Sequence, residues 1–195
     1  MGYFTYRIFR GVTLDRLTDK VRANLALYEP GTVGRELEVR TTEGTGCSAL
    51  LLGYLKREEA LLTPIGYQFG CVWMDVNWND GDWWDLRVYE GAEHRVGHNP
   101  NPWATGDRVK WEEQHFDCRI KRVCELWPDH ADRIERYLLP ARRRVTKLGR
   151  TRFVPRTGKA YDADQHEYGD ADQIHDFVAA FGINEQARSA VARAG

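Results

Sequence analysis

Between residues 72 and 90 two runs of alternating character flank Asp80-Gly81-Asp82. Side chains in a strand alternate with period two, so Val72, Met74, Val76 and Trp78 share one face of the first run, and Trp84, Leu86 and Val88 one face of the second. Both even-numbered sets are apolar and have to face one core. Antiparallel partners lie on the same side of a sheet, so paired residue numbers must sum to an even value. A two-residue turn at Asp80-Gly81 would give a sum of 161 and set Val76 against Asp85, which excludes it. A sum of 162 pairs Trp78 with Trp84, Val76 with Leu86 and Met74 with Val88; it needs a loop of three or five residues, with Gly81 available for a positive φ. The outer face then sets Trp73 across from Tyr89, Asp75 across from Arg87 and Asn77 beside Asp85. An aromatic pair and an opposite-charge pair each contribute ~0.2–1 kcal/mol there.

Around this hairpin the pattern extends in both directions. Tyr3 to Arg10 reads as a strand, followed by a helix with Leu14, Leu17, Val21, Leu25 and Tyr28 at helical spacing behind a Thr13 cap and stopped by Pro30-Gly31. Val33 to Thr42 alternates cleanly, Ala49 to Leu55 is a more buried strand, and a loop around Pro64-Ile65-Gly66 leads into the hairpin. A short return strand is expected near His94 to Val96. After Asn99-Pro100-Asn101-Pro102 the period becomes helical: Trp111, Phe116, Ile120, Val123, Cys124 and Trp127 form one stripe. Pro128-Asp129 starts a further helix carrying Ile134 and Leu138, and a last helix holds Ile174, Phe177, Val178 and Phe181. Asp170 three residues before Gln173 matches a capping box. The expected fold is α+β, a mostly antiparallel β-α-β-β-β-β-β sheet packed with C-terminal helices. Residues 1–195 are expected to form one domain, its sheet-rich part (1–103) and helical part (104–195) sharing a core.

With 42% hydrophobic residues the chain can bury a sizeable core, and its net charge of -1 argues against a generic coat for nucleic acid or membrane. No apolar run reaches the length of a membrane span and no leader pattern opens the chain, so a cytoplasmic protein is expected. Cys47, Cys71, Cys118 and Cys124 make no compact framework and are read as reduced and mostly buried.

Five of the seven tryptophans, Trp73, Trp78, Trp83, Trp84 and Trp103, lie within 71–103 among Asp75, Asp80, Asp82 and Asp85. Trp78 and Trp84 belong to the inner set and are expected to be core. Trp73, Trp83 and Tyr89 face the other way, to be covered by the C-terminal helices or left as a partner site, since exposed aromatic patches mark interfaces. Residues 141–159 carry Arg142, Arg143, Arg144, Lys147, Arg150, Arg152, Arg156 and Lys159 with no acid among them. Such a run can bind phosphates, or be a solvated strand-loop answered by Asp162, Asp164, Glu167, Asp170, Asp172 and Asp176.

Other constellations point to less. The repeated Asp-Ala-Asp-Gln at 162–165 and 170–173 lacks the glycine and glutamate of a calcium loop, and His94, His98, His115, Cys118 and Cys124 lack the paired short spacing of structural zinc, so no metal or cofactor is expected. Gly44-Thr45-Gly46-Cys47-Ser48 reads as a turn entering a strand. No phosphate loop, dinucleotide fingerprint or His-Glu-x-x-His helix is present, which weakens the case for an enzyme.

The Trp-Asp hairpin ending in His98-Asn99-Pro100, with the tail Tyr168-Gly169-Asp170-Ala171-Asp172-Gln173 to Phe177-Val178-Ala179-Ala180-Phe181-Gly182, resembles uncharacterised cytosolic bacterial proteins of the polymorphic-toxin immunity kind. The resemblance implies a non-enzymatic protein that binds a cognate toxin or effector and blocks its active surface. An aromatic-acidic face suits a basic partner of that sort. The residues expected to bind it are Trp73, Asp75, Asp80, Asp82, Trp83, Asp85, Arg87 and Tyr89. Two alternatives stand beside this: a nucleic-acid module using Arg142, Arg143, Arg144, Lys147, Arg150 and Arg152, and a hydrolase with its site near Asp82, Asp85, His94 and His98.

Overall fold

A computed structural model of the chain describes residues 3–26, 38–52, 64–79, 83–100, 110–139, 141–145, 151–183 and 189–193. In chain order the elements are β1 (Tyr3–Arg10), α1 (Leu14–Leu25), β2 (Glu38–Gly44), β3 (Cys47–Leu52), a short helix α2 (64–69), β4 (Val72–Asn79), β5 (Trp83–Glu90) and β6 (Glu93–His98). They are followed by α3 (Lys110–Leu126), a 3-10 turn (Pro128–His130), α4 (Ala131–Leu138), β7 (Ala141–Val145), β8 (Thr151–Pro155), α5 (Gln173–Ala179) and β9 (Ser189–Arg193). Seven strands form one sheet in the order β6-β5-β4-β1-β3-β2-β9, every pairing antiparallel. The fold is therefore α+β, with a mostly antiparallel sheet followed by C-terminal helices. No helix among the described residues is long and apolar enough to cross a membrane.

The hairpin β4–β5 has the register that alternation demands, with Trp78 opposite Trp84, Val76 opposite Leu86, Asp75 opposite Arg87 and Trp73 opposite Tyr89. Three residues, 80–82, separate the two strands and lie outside the described residues. β1 continues the same parity: Ile8 pairs with Met74, Tyr6 with Val76 and Phe4 with Trp78. The even face is thus apolar across three strands, and the C-terminal helices cover it. Tyr6, Ile8, Met74, Val76, Trp84 and Leu86 pack there with Ile120, Val123, Trp127, Ile134, Phe177 and Phe181.

The opposite face is also covered, and not by the C-terminal helices. Phe9, Leu50, Leu52 and Trp73 on the strands bury against Val12, Leu17 and Val21 around α1 and against Ile65 of α2. Residues 64–69 were expected to be loop. They are helical because Pro64 suits a first helical position, where its missing N–H costs nothing, and Ile65 and Phe69 four residues apart turn one side to the sheet. Gly66 is required at the contact: a Cβ there would overlap the Trp73 indole.

Smaller departures have local causes. Thr13 holds the N-cap position of α1 with extended dihedrals, but its side chain makes no capping bond; its carbonyl accepts the Leu17 N–H at 3.0 Å. Tyr28, Pro30-Gly31 and the start of the alternation at Val33 lie outside the described residues. Gly44-Thr45-Gly46 closes the β2–β3 hairpin, with Gly46 at φ 64. The capping box at Asp170 is absent: Asp172 holds the N-cap position of α5, and the Asp170 carboxylate instead accepts the Asp172 N–H at 2.9 Å. Ser189–Arg193, unread in the sequence, adds an edge strand beside β2.

Candidate recognition surface

The odd-numbered face of β1, β4 and β5 is a polar and aromatic ladder. Arg7 grips Asp75 through two hydrogen bonds, Nε to Oδ1 at 2.7 Å and Nη2 to Oδ2 at 3.0 Å, with Arg7 at 1% and Asp75 at 6% exposure. Beside it Thr5 Oγ1 donates to Asn77 Oδ1, and Asn77 Nδ2 donates to Asp85 Oδ1, each at 2.8 Å. Trp73 completes the ladder. Its ring stacks on Tyr89 at 4.1 Å and 7°, the Arg7 guanidinium lies 5.0 Å over it, and its Nε1–H donates to the Gly91 carbonyl at 2.8 Å.

This geometry corrects the expected partner site. Trp73 is 1% exposed and Asp75 is ion-paired in the interior, so neither can touch a partner in the folded protein. The cause is α2 and α1, which seal the face that alternation alone leaves outward. Of the other residues expected there, Arg87 is exposed, whereas Trp83, Asp85 and Tyr89 are partly buried. Asp80 and Asp82 lie outside the described residues. Burial, followed by the nearby Asp75 charge, pushes the Tyr89 hydroxyl above its ordinary pKa.

Asp85, His94 and His98 do not come together as a hydrolytic site. His98 pairs with Leu86 on the even face, where it is buried and its Nε2–H donates to the Leu138 carbonyl at 3.0 Å. A register shift between Val88 and Tyr89 then pairs His94 with Tyr89, and its ring rests edge-on against that tyrosine on the other side of the sheet. Burial pushes the His98 pKa down to about 4, holding the ring neutral. Among the described residues no three His, Cys, Asp or Glu side chains converge as metal ligands. All four cysteines are free thiols; Cys47 is buried, its pKa pushed up to about 12, while Cys118 is exposed, contrary to its expected burial.

A surface that sequence reasoning missed lies at the loop end of the β4–β5 hairpin. Trp78 stands near the end of β4, directly opposite Trp84, whose ring meets Phe177 at 5.0 Å; unlike Trp84 it is only partly buried. Its ring stacks on Phe4 at 5.1 Å and 15°, and its Nε1–H donates to Asp172 Oδ1 at 3.2 Å in an exposed position. His175 extends the row: it stacks on Phe4 at 5.6 Å, and its Nδ1 is hydrogen-bonded to the Tyr6 hydroxyl at 3.3 Å. Trp83, opposite Asn79, belongs to the other face of the same hairpin end. One tryptophan from each face therefore flanks the tip.

The acidic loop beside this surface is held by its own bonds. Asp164 accepts from the Tyr137 hydroxyl at 2.6 Å and the Tyr161 N–H at 2.8 Å; Asp176 accepts from the His166 backbone N–H at 2.7 Å and from its Nδ1–H at 3.1 Å. Burial and the Asp164 carboxylate raise the Tyr137 hydroxyl far above its ordinary pKa. The repeated Asp-x-Asp pattern is thus a set of loop anchors. In the sequence Asp172 stood out only as the second acid of a repeat whose Asp170-to-Gln173 spacing reads as helix capping, and nothing marked His175. The alternative arginines Arg142, Arg143 and Arg144 lie in β7 and Arg152 in β8, a two-stranded ribbon apart from the large sheet. Lys147 and Arg150 lie outside the described residues. Comparison with family models, with curated proteins and with solved structures finds nothing that matches this chain.

Proposed function

We propose that the protein is a non-enzymatic binding protein of the toxin-immunity kind, which works in the cytoplasm by occluding a basic protein partner. The observation that carries this reading is the hairpin tip, where the partly exposed Trp78 is stacked on Phe4 and tied to the exposed Asp172 carboxylate. Aromatic anchors ringed by polar groups dominate binding energy at interfaces, and anchors on strands hold their geometry better than anchors on loops. Asp85 and Asp172, with Asp80 and Asp82 between the strands in sequence, supply negative charge that steers a cationic surface.

The reading expects a neighbouring reading frame that encodes a multidomain toxin, whose purified toxic domain this protein binds and whose toxicity it suppresses on co-expression. Trp78→Ala and Trp83→Ala should each weaken that complex by about 2 kcal/mol or more if they are its anchors. Unchanged binding and undiminished protection by the double variant would refute the proposal.

A further inference from the structure

His130 ends the 3-10 turn between α3 and α4, where it is 2% exposed and neither of its ring nitrogens has a hydrogen-bond partner among the described residues. The Trp127 indole, which meets it edge-on at 5.9 Å, has an equally unmet N–H. A buried polar group left without a partner costs stability, so an apolar ring would serve the packing better. Such a group in a native fold calls for a role beyond packing.

The His130 ring lies over Phe181, tilted at 30° and 4.8 Å away. Phe181 is in turn fastened to the β2–β3 turn: its carbonyl accepts the Thr45 N–H at 2.7 Å and the Cys47 thiol at 3.8 Å. Glycines on both sides permit this closeness. A Cβ on Gly44 would lie 2.6 Å from the Phe181 carbonyl, and one on Gly182 would lie 2.5 Å from Thr45 Oγ1. Burial holds the His130 pKa below its ordinary value; the Thr45 carbonyl and Asp129 pull it back up, and Arg133 of α4 and Arg10 of β1 push it further down. Asp129 is itself ion-paired with Arg10 at 3.0 Å, and Cys47 is a neutral thiol.

We infer that His130 is an acid-sensitive latch: once its ring takes a proton, Phe181 and with it α5 leave the sheet, before the β4–β5 hairpin comes apart. The direction follows from the burial. A histidine kept neutral in the fold binds fewer protons there than in the opened state, so the seat is at full strength above about pH 6.5 and weakens as pH falls. α5 has seven residues, too few to persist as a helix once unseated. Its departure takes Asp172 from Trp78 and His175 from Phe4 and Tyr6. Control of partner binding by the latch rests on the reading of the hairpin tip given above, whereas the opening itself needs no partner, so its failure leaves that reading where it stands.

The test is hydrogen–deuterium exchange of the full chain between pH 7.5 and 5.0, read as protection factors corrected for the intrinsic pH dependence of exchange. Amides of residues 174–182 should lose protection below pH 6.5, by up to about tenfold per pH unit, and should exchange well ahead of the Val76 and Leu86 amides throughout. His130→Phe, which keeps a ring, and His130→Gln, which keeps a polar side chain, should each abolish that slope. His98→Gln, beneath α4, should leave it unchanged. Four results would overturn the inference: no loss of protection in 174–182 on acidification, exchange of that segment only together with the hairpin, a slope equally flattened by His98→Gln, or a slope that survives in both His130 variants and so belongs to His166 or His175.

Discussion

Trp73→Ala removes an indole that is stacked, hydrogen-bonded and capped by a guanidinium, and its cost can be worked from those contacts. Truncating a buried tryptophan to alanine costs about 3–5 kcal/mol through lost transfer energy and the cavity that remains. Within that sum, the stack on Tyr89 at 4.1 Å accounts for about 0.5–1.5 kcal/mol and the bond to the Gly91 carbonyl for about the same. The loss also strips the ring from above the Arg7 guanidinium and from beside Gly66, loosening α2 from the sheet. Domains of this size are stable by about 5–15 kcal/mol, so the variant should be visibly marginal. Urea unfolding followed by circular dichroism should show a lower midpoint at unchanged m-value. A loss below about 1 kcal/mol, the scale of a surface substitution, would refute the placement of Trp73 in a sealed second core.

Three further outcomes follow from the same packing. Arg7→Met leaves the Asp75 carboxylate buried without its bidentate partner and should cost about 3–5 kcal/mol, much of it recovered in Arg7→Met/Asp75→Leu; equal losses in single and double variants in urea melts would contradict a paired interior charge. His98, depressed from 6.5 to about 4, stabilises the fold fully above pH 6.5 and loses that contribution as pH falls toward 4. The loss reaches about 3 kcal/mol, and His98→Gln should flatten this part of the stability-against-pH curve. Gly66→Ala pushes a methyl into the Trp73 indole and should lower stability by about 1–3 kcal/mol by thermal melting, whereas Gly70→Ala meets only the strain of a positive φ, 61°, with open space around it.

The hairpin was legible because parity leaves so little choice: one residue of slip would have turned Val76, Leu86 and Trp84 to the polar face. Parity says which residues share a face, but not what lies over it. Trp73 and Asp75 were therefore assigned to the right side of the sheet and to the wrong environment, because the six-residue helix that covers Trp73 starts with a Pro-Ile-Gly sequence that reads as a loop. The same rule could have dissolved the His94–His98 pairing only with knowledge of the bulge at Val88/Tyr89, a tertiary feature with no local signature. Trp78 was expected to be core because it belongs to the apolar set; it packs against that core near the end of β4 yet stays partly exposed, which no strand pattern encodes. Asp170 looked like a cap by spacing, yet the short α5 begins from a turn whose backbone donors are met within the loop.

Hydroxyl-radical footprinting with mass spectrometry addresses the partition of the indoles directly and needs no partner. Trp78 and Trp83 should oxidise readily, while Trp73, Trp84 and Trp127, each 1% exposed or less, should stay protected until the protein unfolds. Oxidation of Trp73 in the folded protein at the rate of Trp78 would contradict a sheet covered on both faces, and with it the location of the recognition surface at the hairpin tip.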